Sequence, residues 1–129
     1  MSFILIPKNG EDIKINAWNW RPTLELLRSA NVIDDDLFER MGIHGLKAEV
    51  DATTANRIAD FLEARLCAMN SGQRVLADLT VTDTPKKRLI ITPGTKIDQI
   101  DAIDAYSASY EWLVKFRDFS RASGGFEVL

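Results

Sequence analysis

The dipeptide Asn9-Gly10, set between two apolar stretches, constrains this chain more than any other feature. Asn and Gly tolerate the positive φ that a type I′ turn demands at both central positions, so the pair predicts a two-residue hairpin loop. Such a loop sets Lys8 against Glu11, and the register then brings Ile6 opposite Ile13 and Ile4 opposite Ile15. The four isoleucines share one face, expected to be buried beneath a helix, with Phe3, Leu5, Lys14 and Asn16 on the other. At Ala17 the alternation slips phase, because Trp18 and Trp20 take even positions, and a bulge or the strand's end is expected there.

Helical periodicity follows. Pro22 fits a first helical turn, with Leu24, Leu27 and Ala30 as a short stripe. Asp34-Asp35-Asp36 is acidic start material for a second helix through Met41, ended by Gly42. Asp51 is a good N-cap for the longest helix, in which Ala55, Ile58, Ala59, Leu62, Leu66 and Met69 recur at three- and four-residue spacing before Ser71-Gly72. Cys67 lies beside that stripe and reads as a buried, inert thiol.

Val75, Ala77, Leu79 and Val81 alternate with polar residues and predict one half-buried strand. Asp83-Thr84-Pro85 turns the chain, and Leu89-Ile90-Ile91 is the expected partner. A last helix over about 108–123 carries Trp112, Leu113, Phe116 and Phe119, with Gly124-Gly125 as its C-cap. Phe126-Glu127-Val128-Leu129 then closes the chain as a strand, with Phe126 and Val128 on one face. This order predicts a single α+β domain over residues 1–129, an antiparallel sheet of two hairpins plus a C-terminal strand, covered by helices.

Composition narrows function mainly by exclusion. The 129 residues carry 16 Lys and Arg against 19 Asp and Glu, a net charge of −3. A dedicated nucleic-acid binder would show a basic patch instead, and Pro85-Lys86-Lys87-Arg88 reads as a solvated hairpin tip. The single cysteine excludes an intramolecular disulfide. The apolar run after Met1 is too short for a span and lacks a signal peptide's basic region, so a reduced, cytoplasmic location without membrane contact is expected. The oligomeric state is left open.

No catalytic, metal or cofactor motif stands out. His44 and Cys67 are too isolated to build a zinc site, and no Gly-x-Ser-x-Gly elbow aims a serine. Ile97-Asp98-Gln99-Ile100-Asp101-Ala102-Ile103-Asp104 reads as an amphipathic segment with an acidic edge, lacking the ligand order of a calcium loop. Thr92-Pro93-Gly94-Thr95-Lys96 lacks the spacing of a phosphate loop. His44, between Gly42 and Gly45, is either a surface histidine or a general base with a nearby carboxylate.

Trp18-Asn19-Trp20-Arg21-Pro22 is the strongest candidate site. Two indoles in three residues are large amphipathic surfaces of the type enriched at binding hot spots. If Pro22 opens the helix, Arg21 becomes its N-cap, where a cation faces the positive end of the dipole. An anion held between Arg21 and the helix amides would explain that arrangement. The alternatives are that Arg21 pairs with Glu25 or stacks on an indole, that Thr23 is the true cap, and that both tryptophans are core.

Trp18-Asn19-Trp20-Arg21-Pro22-Thr23-Leu24, the Ala-x-x-Ile-Ala-x-x-Leu helix within Ala52 to Leu66, and Ser123-Gly124-Gly125-Phe126-Glu127-Val128 after Phe119 also carry a resemblance. They resemble a group of small bacterial proteins with a Trp-x-Trp-Arg-Pro segment and a terminal Gly-Gly-Phe-x-Val-Trp. This chain departs from that pattern at Leu129. The resemblance implies a bacterial source and no particular chemistry. Two functional classes are therefore carried forward. One is a non-enzymatic binding module, immunity-like or adaptor, that uses Trp18, Trp20 and Arg21 toward a protein partner or an anionic small molecule. The other is a small ligand-binding protein or enzyme that uses His44.

Overall fold

The computed structural model describes residues 2–43, 46–84 and 106–129. It is an α+β fold with antiparallel sheets packed on helices. In chain order the described elements are β1 (Ser2–Pro7), β2 (Ile13–Asn16), α1 (Ala17–Ser29), α2 (Asp35–Gly42), β3 (Ala48–Val50) and α3 (Ala52–Cys67). There follow β4 (Arg74–Leu76), β5 (Val81–Thr82), β6 (Ser107–Ser109), α4 (Tyr110–Ser123) and β7 (Phe126–Val128). One sheet has the order β2-β1-β7-β3 and the other β5-β4-β6.

The first hairpin is one residue out of the expected register. Phe3 stands opposite Ile15 and Leu5 opposite Ile13, while Ile4 faces Lys14. A one-residue slip exchanges the two faces of a strand. Phe3, Leu5 and Ile15 are therefore the buried residues, and Ile4 and Ile6 are half-buried on the opposite face with Glu127. The cause lies on the other side of β1. Beyond Pro7, the Lys8 amide donates to the Gly125 carbonyl and the Asn9 amide to that of Ser123, both at 3.0 Å. These bonds carry the chain past the point where a two-residue loop would reverse it. Asn9-Gly10 sits instead within a longer connection over 8–12, spent on the end of α4.

The caps of α2 and α3 form where the sequence places them. Asp34 accepts from the Leu37 amide at 2.8 Å and Asp51 from the Thr54 amide at 2.7 Å, each satisfying an N–H that has no partner inside its helix. Ser109 does the same for Trp112 at 3.1 Å, and α4 ends on left-handed Gly124. Cys67, the last residue of α3, is exposed rather than buried, one position beyond Leu66, where the apolar stripe turns away.

The expected single strand over 75–82 is in fact a tight hairpin. Leu79 takes a φ of +72°, its amide donates to the Leu76 carbonyl, and the Leu76 amide donates to Thr80, both at 2.8 Å. Arg74 and Val75 thus pair with Thr82 and Val81 on one side and with β6 on the other. The expected partner strand at Leu89-Ile90-Ile91 lies outside the described residues, as do Pro85–Arg88, Thr92–Lys96 and Ile97–Asp104.

The C-terminal strand forms as expected, with Phe126 and Val128 buried, and it is central. It pairs with β1 on one edge and β3 on the other. Phe126 packs edge-on against Phe116 and Phe119 of α4, and Phe3 approaches Trp20 of α1, so α4 and α1 cover the inner face of this sheet. Helix α3 lies against α4, where Arg121 bridges to Asp60 at 2.8 Å and Glu63 at 3.0 Å.

Candidate functional site

Helix α1 opens at Ala17, with Asn16 as its N-cap accepting from the Asn19 amide at 3.0 Å. Pro22 therefore lies in the second turn, and Arg21 is not a cap. The expectation that Arg21 caps the helix is overturned, and with it the dipole argument for an anion held between Arg21 and the helix amides. The reason is local. Asn16 is a strong N-cap and strand β2 ends on it, so the helix starts a full turn before the proline.

At about 100° per residue, Trp18 and Arg21 fall on one face of α1 and Trp20 on another. Trp20 is 0% exposed, and its indole N–H donates to the Met41 carbonyl at 2.9 Å. Its ring meets Phe116 and Trp112 edge-on at 5.3 and 6.3 Å between centroids. Trp20 is core, and it fastens α1 to the end of α2.

Two polar side chains of α1 lock the rest of the site. The Asn19 side-chain oxygen accepts from the Ser109 amide at 3.1 Å, tying α1 to β6. Buried Thr23 donates to the Asn19 carbonyl at 2.7 Å and accepts from the Trp112 indole at 2.9 Å. Tyr106, which leads into β6, is thereby set beside α1.

Trp18 is 45% exposed, yet it packs on Tyr106 with 4.5 Å between ring centroids. The Arg21 guanidinium carbon lies 5.9 Å from the same ring centre, within cation–π reach. Next to this ledge runs an open groove of about 650 Å³. Its walls are Arg21 and Leu24 of α1, Phe38 and Gly42 of α2, Ile43, and Tyr106. Ile43 and Leu46 are exposed large apolar side chains, and the Leu46 amide donates to the Ile43 carbonyl.

Of the expected site residues, Trp18 and Arg21 come together, Trp20 is structural, and His44 lies outside the described residues. Among the described residues no carboxylate pairs with Arg21, and Glu25, one turn on, is engaged with Arg28 at 2.8 Å. Arg21 has taken the aromatic alternative, on a tyrosine rather than an indole. Tyr106 itself escaped the sequence reading. An isolated aromatic between an acidic segment and a short strand has no periodicity to mark it.

A second groove, about 1020 Å³, lies between α2 and the edge of the larger sheet. Its carboxylates are occupied. Asp34 and Asp51 cap helices, Asp36 pairs with Arg40, and Lys47 reaches Glu127 at 3.3 Å. The Thr54 amide holds the Asp51 carboxyl below its ordinary value, and Thr80 does the same for Asp78. Arg121 is raised by its bond to Asp60. None of these three lines the groove at Arg21. Among the described residues there is no group of three or more His, Cys, Asp or Glu placed to hold a metal, and no helix is long and apolar enough to cross a membrane.

Comparison of the chain with family models, with curated proteins and with solved structures returned no match. The functional reading therefore rests on the site itself.

Proposed function

We propose that this protein is a cytoplasmic binding module whose recognition surface is the Trp18–Arg21–Tyr106 ledge and the apolar groove beside it. The observation that carries this reading is the split of the two indoles. Trp20 is spent entirely on the core, whereas Trp18, two residues away, keeps 45% of its surface in water and shares the Tyr106 ring with Arg21. An exposed Trp and Arg on a rigid helix, backed by a half-buried Tyr and bordering an apolar concavity, have the composition of a binding hot spot with little entropy left to lose.

The test is retention of a partner from a lysate of the organism that makes the protein, on immobilised wild type and on the Trp18→Ala, Arg21→Ala double variant. The variant loses the packing of Trp18 on Tyr106, about 1–2 kcal/mol, so the comparison is made well below its melting temperature, where its circular dichroism is expected to match wild type. A species held by wild type and lost from the variant supports the reading. The same set retained by both proteins contradicts it.

A further inference from the structure

Resting on that reading, we infer that the groove takes a peptide segment of a protein partner in which one acidic side chain is flanked by apolar ones, the carboxylate seated on Arg21. The groove's charges point to this occupant. Arg21 lines the groove beside Tyr106, and no carboxylate among the described residues pairs with it. Glu25 on the same helix is neutralised by Arg28, which itself lies over the Phe38 ring at 4.1 Å. Glu39 comes from the opposite wall, α2, and disfavours a second negative charge there. One positive seat beside an apolar floor of Leu24, Phe38 and Ile43 thus matches a single carboxylate set among aliphatic side chains.

A planar guanidinium can donate two parallel N–H bonds to one carboxylate, and the Arg21 guanidinium carbon lies 5.9 Å from the Tyr106 ring centre, at the wall of the groove. Charge also sets the ranking of ligands, because an isosteric amide in place of the carboxylate keeps the shape and loses the charge-assisted pair.

Two capped peptides without aromatic residues test this, acetyl-Gly-Leu-Glu-Leu-Gly-amide and its Glu→Gln counterpart. Each is titrated while the Trp18 indole N–H resonance is followed, assigned by its loss in Trp18→Phe. The Glu peptide is expected to bind about fivefold or more tightly than the Gln peptide, and Arg21→Gln to abolish that difference without changing the melting temperature. Equal binding of the two peptides, with Trp18 perturbed by both, overturns the carboxylate seat and leaves the binding-module reading standing. Binding of neither, while the lysate partner is still retained through Trp18 and Arg21, also overturns it.

Discussion

Thr23→Val separates hydrogen bonding from packing at the joint that positions the site. The Thr23 hydroxyl is 0% exposed and links the Trp112 indole N–H at 2.9 Å to the Asn19 carbonyl at 2.7 Å. Valine keeps the shape and removes the acceptor, so the indole N–H is left buried without a partner among the groups seen around it. Leaving such a donor unsatisfied costs about 1–3 kcal/mol. At this chain length that lowers the melting temperature by roughly 3–5 °C for each kcal/mol. Thr23→Ser keeps the hydroxyl and loses one methyl group, at about 1 kcal/mol. Urea denaturation at constant m-value is the assay. The expected order of stability is wild type, then Ser, then Val. Combining Thr23→Val with Trp112→Phe, which adds a cavity cost of its own, is expected to cost less than the sum of the two single changes, because both polar partners are then gone. A valine variant more stable than the serine variant would show that the site is held by packing alone, and the reasoning would be wrong.

Three further outcomes follow from backbone and charge. Gly125 has a φ of +109°, and a Cβ there would come within 2.9 Å of the Val50 carbonyl oxygen, so Gly125→Ala should cost about 2–4 kcal/mol in thermal or urea unfolding. Gly72, at φ +92° with open space around it, should lose only the backbone component, about 1–2 kcal/mol, on the same change. The Asp51 carboxyl titrates below its unfolded value, so its stabilisation is complete above about pH 4 and is lost as the pH falls through the folded value. Asp51→Asn, still a competent cap, should match wild type near pH 7 and show a shallower acid loss of the urea midpoint; identical acid limbs would contradict this.

The parts of the fold that were legible in the sequence are those determined within a few residues. Asp34 and Asp51 announce helix starts because a short acceptor side chain satisfies an amide three positions on. The stripe of α3 and the glycine after α4 are equally local. The hairpin register was not legible, because the bonds that decide it run from Lys8 and Asn9 to Ser123 and Gly125 at the other end of the chain. A residue with positive φ that is not glycine, Leu79, hid the turn within an alternating run that read as one strand. At the site, Trp18 and Arg21 were visible as residue types, but their division of labour with Trp20 was not. It depended on whether the helix began at Ala17 or at Pro22, and a proline was the misleading signal. Tyr106 is brought to them by tertiary packing of β6 on α1, with the bond from Ser109 to Asn19 as part of it.

The central claim, that Trp18 alone of the three tryptophans is offered to a ligand, has a direct spectroscopic test. Trp20 is 0% exposed and Trp112 6%, against 45% for Trp18. Acrylamide quenching of wild-type fluorescence should therefore resolve one accessible component. Trp18→Phe should remove it, and the Glu-containing peptide should shield it in wild type. An accessible fraction unchanged in Trp18→Phe would contradict the account.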